Sequence, residues 1–169
     1  MSLHLVTAPQ FSNMLGNLDR WLDKAVEYAA SRSFDANVLL QARLAPDQFP
    51  LLRQIQVACD TAKISASLAT GKTPPKHPDT EQTVAELKAR IASVRAYLDE
   101  FTAADFEGAE GRVLSPPALQ GRSAKAVDYV AAFSLPNFYF HVSMAYAILR
   151  HNGVPLGKKD YIGRVKLID

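Results

Sequence analysis

The length, composition and charge of the sequence limit the kinds of protein that it encodes. At 169 residues, of which 48% are hydrophobic and 21% charged, the chain matches one globular domain that needs no disulfide or metal to fold. The formal net charge is only +2 and the basic residues are scattered, so we expect neither nucleic acid nor a membrane as a partner.

The apolar runs and the single cysteine indicate the cellular compartment of the protein. No apolar run approaches the roughly 20 residues that cross a bilayer, and the N-terminal stretch lacks the basic start and apolar core of a signal peptide. Cys59 has no second cysteine with which to form an internal disulfide, which fits a reducing compartment. The sequence therefore predicts a cytoplasmic protein.

Four stretches carry apolar residues at spacings of three and four, the pattern of amphipathic helices. We predict helix one over about 8–30, helix two over about 48–70, helix three over about 80–102 and helix four over 135–152. The predicted starts are a capping box from Thr7 to Gln10, Asp79 before helix three and Ser134 before helix four, and the predicted stops are Gly71 and Gly153.

The region between helices three and four has no sustained period. It contains Gly and Pro residues over 105–122, within which 111–114 is predicted as a short strand, and the segment 124–133 fits no single pattern. Three helices joined by short connections, and a fourth reached by a longer crossover, predict an all-α four-helix bundle. We expect a single domain over residues 1–169.

The sequence contains no catalytic signature strong enough to name a reaction. The stretch ASLATGKT at 66–73 loosely matches a phosphate-binding loop, but it ends a predicted helix and is followed by two prolines, whereas a working loop opens a helix. Cys59 falls on the apolar stripe of helix two, which indicates a core residue rather than a nucleophile.

Helix four carries two polar residues one turn apart within an otherwise apolar stretch. On a helical wheel Asn137 and Met144 lie within about 60° of His141, on the face that forms the core, so we predict that Asn137 and His141 point inward. A buried polar group without a partner costs about 1 to 3 kcal/mol. Both should therefore be hydrogen-bonded to neighbouring groups, to water or to a ligand.

Three segments of the second half, PNFYFH at 136–141, AYAILRHNG at 145–153 and GKKDY at 157–161, form a distinctive set. They look like the signature of an uncharacterised bacterial family of unknown function within the DinB/YfiT-like superfamily of four-helix bundles. The resemblance covers most of the chain. It implies the bundle but no particular activity.

The resemblance also bears on metal binding, because members of the superfamily often hold a divalent metal with one His on helix two and an H-x-x-x-H pair on helix four. His141 matches the second ligand of that pair, but Asn137 stands at the first, and Gln54 or, with a shifted register, Asp60 stands near the helix-two position. A zinc or nickel site needs about three good ligands, and amide oxygens substitute poorly for imidazole. The ligand-pocket candidates are therefore Asn137, His141, Gln54 and Asp60, with His141 alone as a metal candidate and no cofactor or catalytic residue assigned.

Three functions are open at this point, and we expect a homodimer in each. The first is a small-molecule binding module with its pocket between helices two and four. The second is a transferase or hydrolase of the DinB/YfiT type, in which a metal or His141 activates a thiol or water. The third is a purely structural homodimer, because Tyr139, Phe140 and Tyr146 make helix four apolar nearly all round.

The tail of the chain, 157–169, mixes basic and apolar residues. They are Lys158, Lys159, Arg164 and Lys166 beside Tyr161, Ile162 and Val165. We expect the apolar residues to pack on the bundle while the charges stay in water, rather than a basic site for an anion.

Overall fold

The structure, a computed structural model, describes residues 2–163 of the chain. Within them it has the helices α1 (Leu3–Val6), α2 (Ala8–Ser31), α3 (Leu51–Thr70), α4 (Val84–Asp99), α5 (Ala126–Tyr129), α6 (Leu135–His151) and α7 (Lys158–Ile162). Predicted helices one to four correspond to α2, α3, α4 and α6. Among the described residues, none of the helices is long and apolar enough to cross a membrane.

The four long helices form the predicted all-α bundle. α2 packs against α4, α4 against α3 and α3 against α6, and α6 closes the ring against α2. The interior is filled by fully buried side chains, among them Phe11, Trp21, Leu87 and Phe138. Cys59 lies in the same core, and burial raises the pKa of its thiol to about 12. A thiol so protonated is a packing group rather than a nucleophile, as predicted.

Gly71 ends α3, as predicted. It adopts φ +85°, a conformation that favours glycine, and its N–H donates to Ser67 O at 2.6 Å. The stretch 66–73 therefore lies at the end of a helix and not at the start of one, which removes the geometry of a phosphate-binding loop.

Helix one begins at residue 8 as predicted, but the predicted capping side chains of helices one and three are wrong. Thr7 makes no capping bond, because α1 runs directly into α2 and the Thr7 hydroxyl donates back to Leu3 O at 2.6 Å. α4 is capped by Thr83, whose hydroxyl accepts from Glu86 N–H while the Glu86 carboxylate accepts from Thr83 N–H. Asp79, the predicted cap, lies four residues earlier and binds two arginines instead.

Ser134 does not cap helix four either, because the helix has already begun. Its backbone is helical, with φ −62° and ψ −49°, and α5 continues into α6 through a π-helical turn, Val130–Ser134. In that turn Leu135 N–H donates to Val130 O, five residues back. Pro136 explains the wide turn, because proline has no N–H for the carbonyl four residues back and its ring crowds that carbonyl.

The crossover before α5 is ordered around a small hairpin. Strand β1 (Val113–Leu114) pairs antiparallel with β2 (Ala124–Lys125), which confirms the short strand predicted within 111–114. Between the strands lies a 3₁₀ turn, Pro117–Leu119. Because β2 passes directly into α5 and then into the π turn, the segment 124–133 follows no single period.

The tail packs on the bundle through one aromatic residue. Tyr161 of α7 stacks on Trp21 of α2, with ring centres 5.6 Å apart, and meets the edge of Tyr146 of α6. Its hydroxyl shares a hydrogen bond with Ser143 at 2.9 Å. Of the other tail residues, Lys158, Lys159 and Ile162 are exposed, and Arg164, Val165 and Lys166 lie outside the described residues.

Replacing Tyr161 with alanine should lower the free energy of unfolding by about 2 kcal/mol, because a partly buried ring and its hydrogen bond are lost. Urea unfolding measures the change. The matched control is Ile162→Ala on the same helix, whose exposed side chain should matter by less than about 0.5 kcal/mol. Equal losses in the two variants would contradict the docking of α7 through Tyr161.

Candidate functional site

His141 and Gln54 form a buried hydrogen-bonded pair between α6 and α3. His141 is 6% exposed and Gln54 is 1% exposed, and Nδ1 of the imidazole lies 2.7 Å from Oε1 of the amide. The amide nitrogen of Gln54 donates to Phe49 O at 3.0 Å, which fixes the end of the amide that faces the ring. A neutral amide therefore holds the imidazole in the core.

This pairing sets the protonation of the imidazole. Because Oε1 of Gln54 can only accept, Nδ1 of His141 carries the proton and Nε2 keeps its lone pair. Burial lowers the pKa of His141, and the charge of Arg53 lowers it further. The ring is therefore neutral at physiological pH, and its Nε2 has no hydrogen-bond partner among residues 2–163.

Asn137 also reaches α3, through a different hydrogen bond. Its Nδ2 donates to Oγ1 of Thr61 at 2.8 Å, and the Thr61 hydroxyl donates to Val57 O at 2.8 Å. Both polar residues of helix four thus have protein partners, and two neutral hydrogen bonds one helical turn apart join α6 to α3.

Asp60 belongs to a network of ion pairs around Arg90. Arg90, on α4, is only 3% exposed. Its guanidinium donates to Asp60 Oδ1 at 2.7 Å, to Asp79 Oδ1 at 2.6 Å and to Glu81 Oε1 at 3.0 Å. Lys63 places a second cation 2.9 Å from the same Asp60 oxygen. Cations rather than the imidazole therefore hold Asp60.

These cations keep the neighbouring carboxylates ionised. Burial, the largest single influence, would raise the pKa of Glu81, but hydrogen bonds from Arg90 and Gln56 outweigh it, so that the pKa is lowered overall. Burial likewise opposes the shift at Asp79, where hydrogen bonds from Arg53 and Arg90 lower the pKa. The network is therefore charged at neutral pH.

An apolar cleft of about 270 Å³ opens beside these groups, between α3 and the crossover. One wall is a face of α3 that carries Asp60, Thr61 and Ile64. The other wall is the 3₁₀ turn of the crossover together with Tyr129 at the end of α5 and Phe133 in the π turn. The cleft thus combines apolar sides with a few polar groups.

The four predicted site residues do not meet in one pocket. Asp60 lines the cleft, and Asn137 is joined to it only through Thr61. His141 and Gln54 bond each other and do not line the cleft. A role for any of the four in ligand binding stays a prediction.

Sequence reasoning missed most of the cleft. Val57, Thr61 and Ser65 recur every four residues on α3, so a helical wheel that considered the positions beside the apolar stripe could have placed them on one face. No such signal was available for Tyr129 and Phe133. They lie in the segment where the π turn interrupts the helical period.

The family of the chain follows from its similarity to known proteins. A family model described as a domain of unknown function, DUF1993, matches residues 3–162. The chain belongs to the DUF1993 family. This DUF1993 chain is similar to a crystal structure of a DinB family member protein from Shewanella denitrificans, with 48% sequence identity over 99% of this chain and 95% of that chain and a TM-score of 0.94. No curated protein matches it. The DinB-like fold and superfamily predicted from the sequence are thereby confirmed.

The residues of this DUF1993 chain do not fit the divalent metal that the DinB-like resemblance implies. The amides of Gln54 and Asn137 are already bonded to His141 and Thr61. Within residues 2–163, no three side chains of His, Cys, Asp or Glu are gathered so as to hold a metal ion. His141 supplies one imidazole donor, Nε2, whereas a zinc or nickel site needs about three good ligands.

Nitrogen NMR of the wild-type protein should show His141 as a neutral imidazole protonated on Nδ1, with a pKa below the ordinary 6.5 or so. In the Gln54→Met variant, which keeps the bulk of the side chain but removes the acceptor, the preference for the Nδ1 proton should be lost. A dominant Nε2 proton in the wild type would contradict the assigned pairing.

Replacing Arg90 with methionine should lower the free energy of unfolding by about 3 to 5 kcal/mol at neutral pH, because three carboxylates lose their shared cation. Asp79 and Glu81 have pKa values below those of the unfolded chain, so the unfolded state binds more protons in acid. Wild-type stability is therefore lost as the pH falls below about 4.5. The free energy of unfolding of the Arg90→Met variant should fall less than that of the wild type over that pH range.

Urea unfolding at pH 7 and at pH 3.5 measures both effects. The control is Arg43→Met, which removes an exposed arginine from a loop and should leave the stability and its pH dependence nearly unchanged. An Arg90 variant with the wild-type acid dependence would show that the network contributes nothing to the pH response.

Proposed function

We propose that this DUF1993 protein binds a small, largely apolar molecule in the cleft between α3 and the crossover, without catalysing a reaction. One observation carries the proposal: the cleft combines apolar walls with polar groups at Asp60 and Thr61. Ligand pockets are typically concave and mostly apolar, with a few polar groups that fix the orientation of the ligand. The sequence predicts a pocket between helices two and four, whereas the walls of this cleft come from α3, the crossover, Tyr129 and Phe133.

The walls of the cleft suit an apolar ligand for two reasons. Ile64 on α3 and Phe133 in the π turn are both exposed, so a ligand between them would remove two apolar side chains from water. Pro116 and Pro117 form part of the facing wall, and proline has little backbone freedom to lose on binding. Both effects favour association.

The alternative function, a transferase or hydrolase of the DinB/YfiT type, has less support. Such an enzyme needs a base that can take a proton from the nucleophile or from water. In the cleft the ionisable groups are Asp60, which two cations hold, and Tyr129, whose pKa is raised by burial. His141, the predicted base, bonds Gln54 outside the cleft. Binding without turnover therefore agrees best with the geometry.

A homodimer stays a prediction. Tyr139 and Tyr146, two of the residues on which it depends, have partners within the chain, since Tyr139 bonds Gln10 and Tyr146 packs on Trp21. Phe140, at 52% exposure, still favours an interface on α6, and sedimentation equilibrium would test it. The cytoplasmic location also stays a prediction.

Filling the cleft should abolish binding while leaving the fold intact. In Ala118→Trp, a large ring replaces an exposed alanine at the rim, so the indole should occupy the space between the crossover and α3. A fragment library of neutral one-ring compounds, screened by ligand-observed NMR, should give hits for the wild type that the variant no longer binds.

The matched control is Ala104→Trp. This alanine is also exposed and also lies in a 3₁₀ turn, Ala103–Phe106, but it does not line the cleft. The control should keep every hit. A screen without hits for the wild type, or hits that survive in Ala118→Trp, would sink the proposal.

A further inference from the structure

We infer that the ligand of the cleft carries an uncharged hydroxyl group on an apolar body of about one ring. This inference rests on the proposed binding function and adds the class of compound to it. Two polar atoms of the lining, the Tyr129 hydroxyl and Oδ2 of Asp60, have no hydrogen-bond partner among residues 2–163. Together they suit a group that can accept one hydrogen bond and donate another.

Tyr129 offers the donor. The residue is 6% exposed, and its ring stacks on Phe133 with ring centres 5.1 Å apart. No described residue bonds its hydroxyl, which is not fully buried and so can be reached from the cleft. Burial raises the pKa of Tyr129, so the phenol keeps its proton. An oxygen of a ligand in the cleft would satisfy it.

Asp60 offers the complementary acceptor. Arg90, at 2.7 Å, and Lys63, at 2.9 Å, both contact Oδ1. Oδ2 is therefore left without a hydrogen bond from the described residues, on a side chain that lines the cleft. An ionised carboxylate can only accept, so the ligand group that meets it must donate a proton.

The other polar side chains of the cleft are already engaged. The Thr61 hydroxyl accepts from Asn137 and donates to Val57 O. The Ser65 hydroxyl donates to Thr61 O at 2.6 Å. Neither has a proton left for the ligand. Tyr129 and Asp60 therefore decide which polar group the ligand carries.

The charges around Asp60 disfavour an ionised ligand. Lys63 and Arg90 would repel an ammonium group and already neutralise the carboxylate that would attract it. A ligand carboxylate would instead face Oδ2 of Asp60, a like charge. A hydroxyl avoids both costs. A dry cavity of about 150 Å³ holds benzene, so the volume of about 270 Å³ accommodates one ring with a short substituent.

The test compares four one-ring compounds that differ in one substituent: benzyl alcohol, toluene, benzylamine and benzoate. Each is titrated into nitrogen-labelled protein, and the backbone amide shifts of Thr61, Ser65 and Ala118 report binding in the cleft. Benzyl alcohol should bind about three- to tenfold more tightly than toluene, the net effect of one or two hydrogen bonds. Benzylamine and benzoate should bind no more tightly than toluene.

The variant Tyr129→Phe removes only the hydroxyl. Because that hydroxyl has no partner within the described chain, the variant should keep the wild-type Tm, and the preference for benzyl alcohol over toluene should shrink, since only the bond to Asp60 remains. The matched control is Tyr139→Phe, which loses a hydroxyl bonded to Gln10 outside the cleft. It should keep the wild-type ranking of the four compounds.

The two proposals fail separately in this experiment. If toluene and benzyl alcohol bind the wild type equally, or if benzylamine or benzoate binds most tightly, the hydroxyl assignment is overturned while binding in the cleft stands. If none of the four compounds shifts the cleft amides, binding in the cleft is itself overturned.

Discussion

The buried guanidinium of Arg90 is the interaction on which the arrangement of α3, α4 and their connection depends. It belongs to α4, but its partners are Asp60 and the Gln56 carbonyl of α3 and Asp79 and Glu81 of the connection. Without them an arginine charge would be left in the interior at a cost of several kcal/mol. The three segments must therefore assemble in one arrangement. In that arrangement Oδ1 of Asp60 bonds Arg90, and Oδ2 has no hydrogen bond from the described residues. The buried arginine thus determines which oxygen of Asp60 we propose for the ligand.

Between α3 and α6, hydrogen bonds between neutral side chains, rather than ion pairs, fix how the helices pack. Gln54 holds His141, and Thr61 holds Asn137, at positions that the superfamily resemblance associates with metal ligands. A metal would draw the side chains of several helices to one point, whereas each hydrogen bond joins only two atoms. The two hydrogen bonds therefore hold α6 against α3 without bringing Asn137 and His141 to one common binding site. The binding that we propose for this DUF1993 chain instead uses the cleft beside α3, where the crossover packs against that helix.

The helices could be predicted from the sequence because their apolar residues repeat within a single element, so no knowledge of neighbours was needed. The side chains that cap them could not. Thr7 and Asp79 have side chains suited to capping, but which group such a side chain bonds depends on distant partners, a preceding helical turn for one and two arginines for the other. His141 was identified because it interrupts an apolar face. Tyr129 was not, because the apolar period is broken around it by the π turn.

The π turn before Pro136 affects how the sequence determines the direction of the Tyr129 side chain. Such a turn contains about one residue more than an α turn, which offsets Tyr129 from α6 by about 100° relative to an unbroken helix. The direction of the Tyr129 ring therefore depends on the number of residues before Pro136 as well as on their identity. A relative that lacked one residue in Val130–Ser134 would keep every side chain that lines the cleft on α3 and the crossover, yet it would turn its phenol away. For the ligand that we propose, the number of residues in this turn is thus expected to affect specificity, and a comparison of aligned lining residues would overlook it.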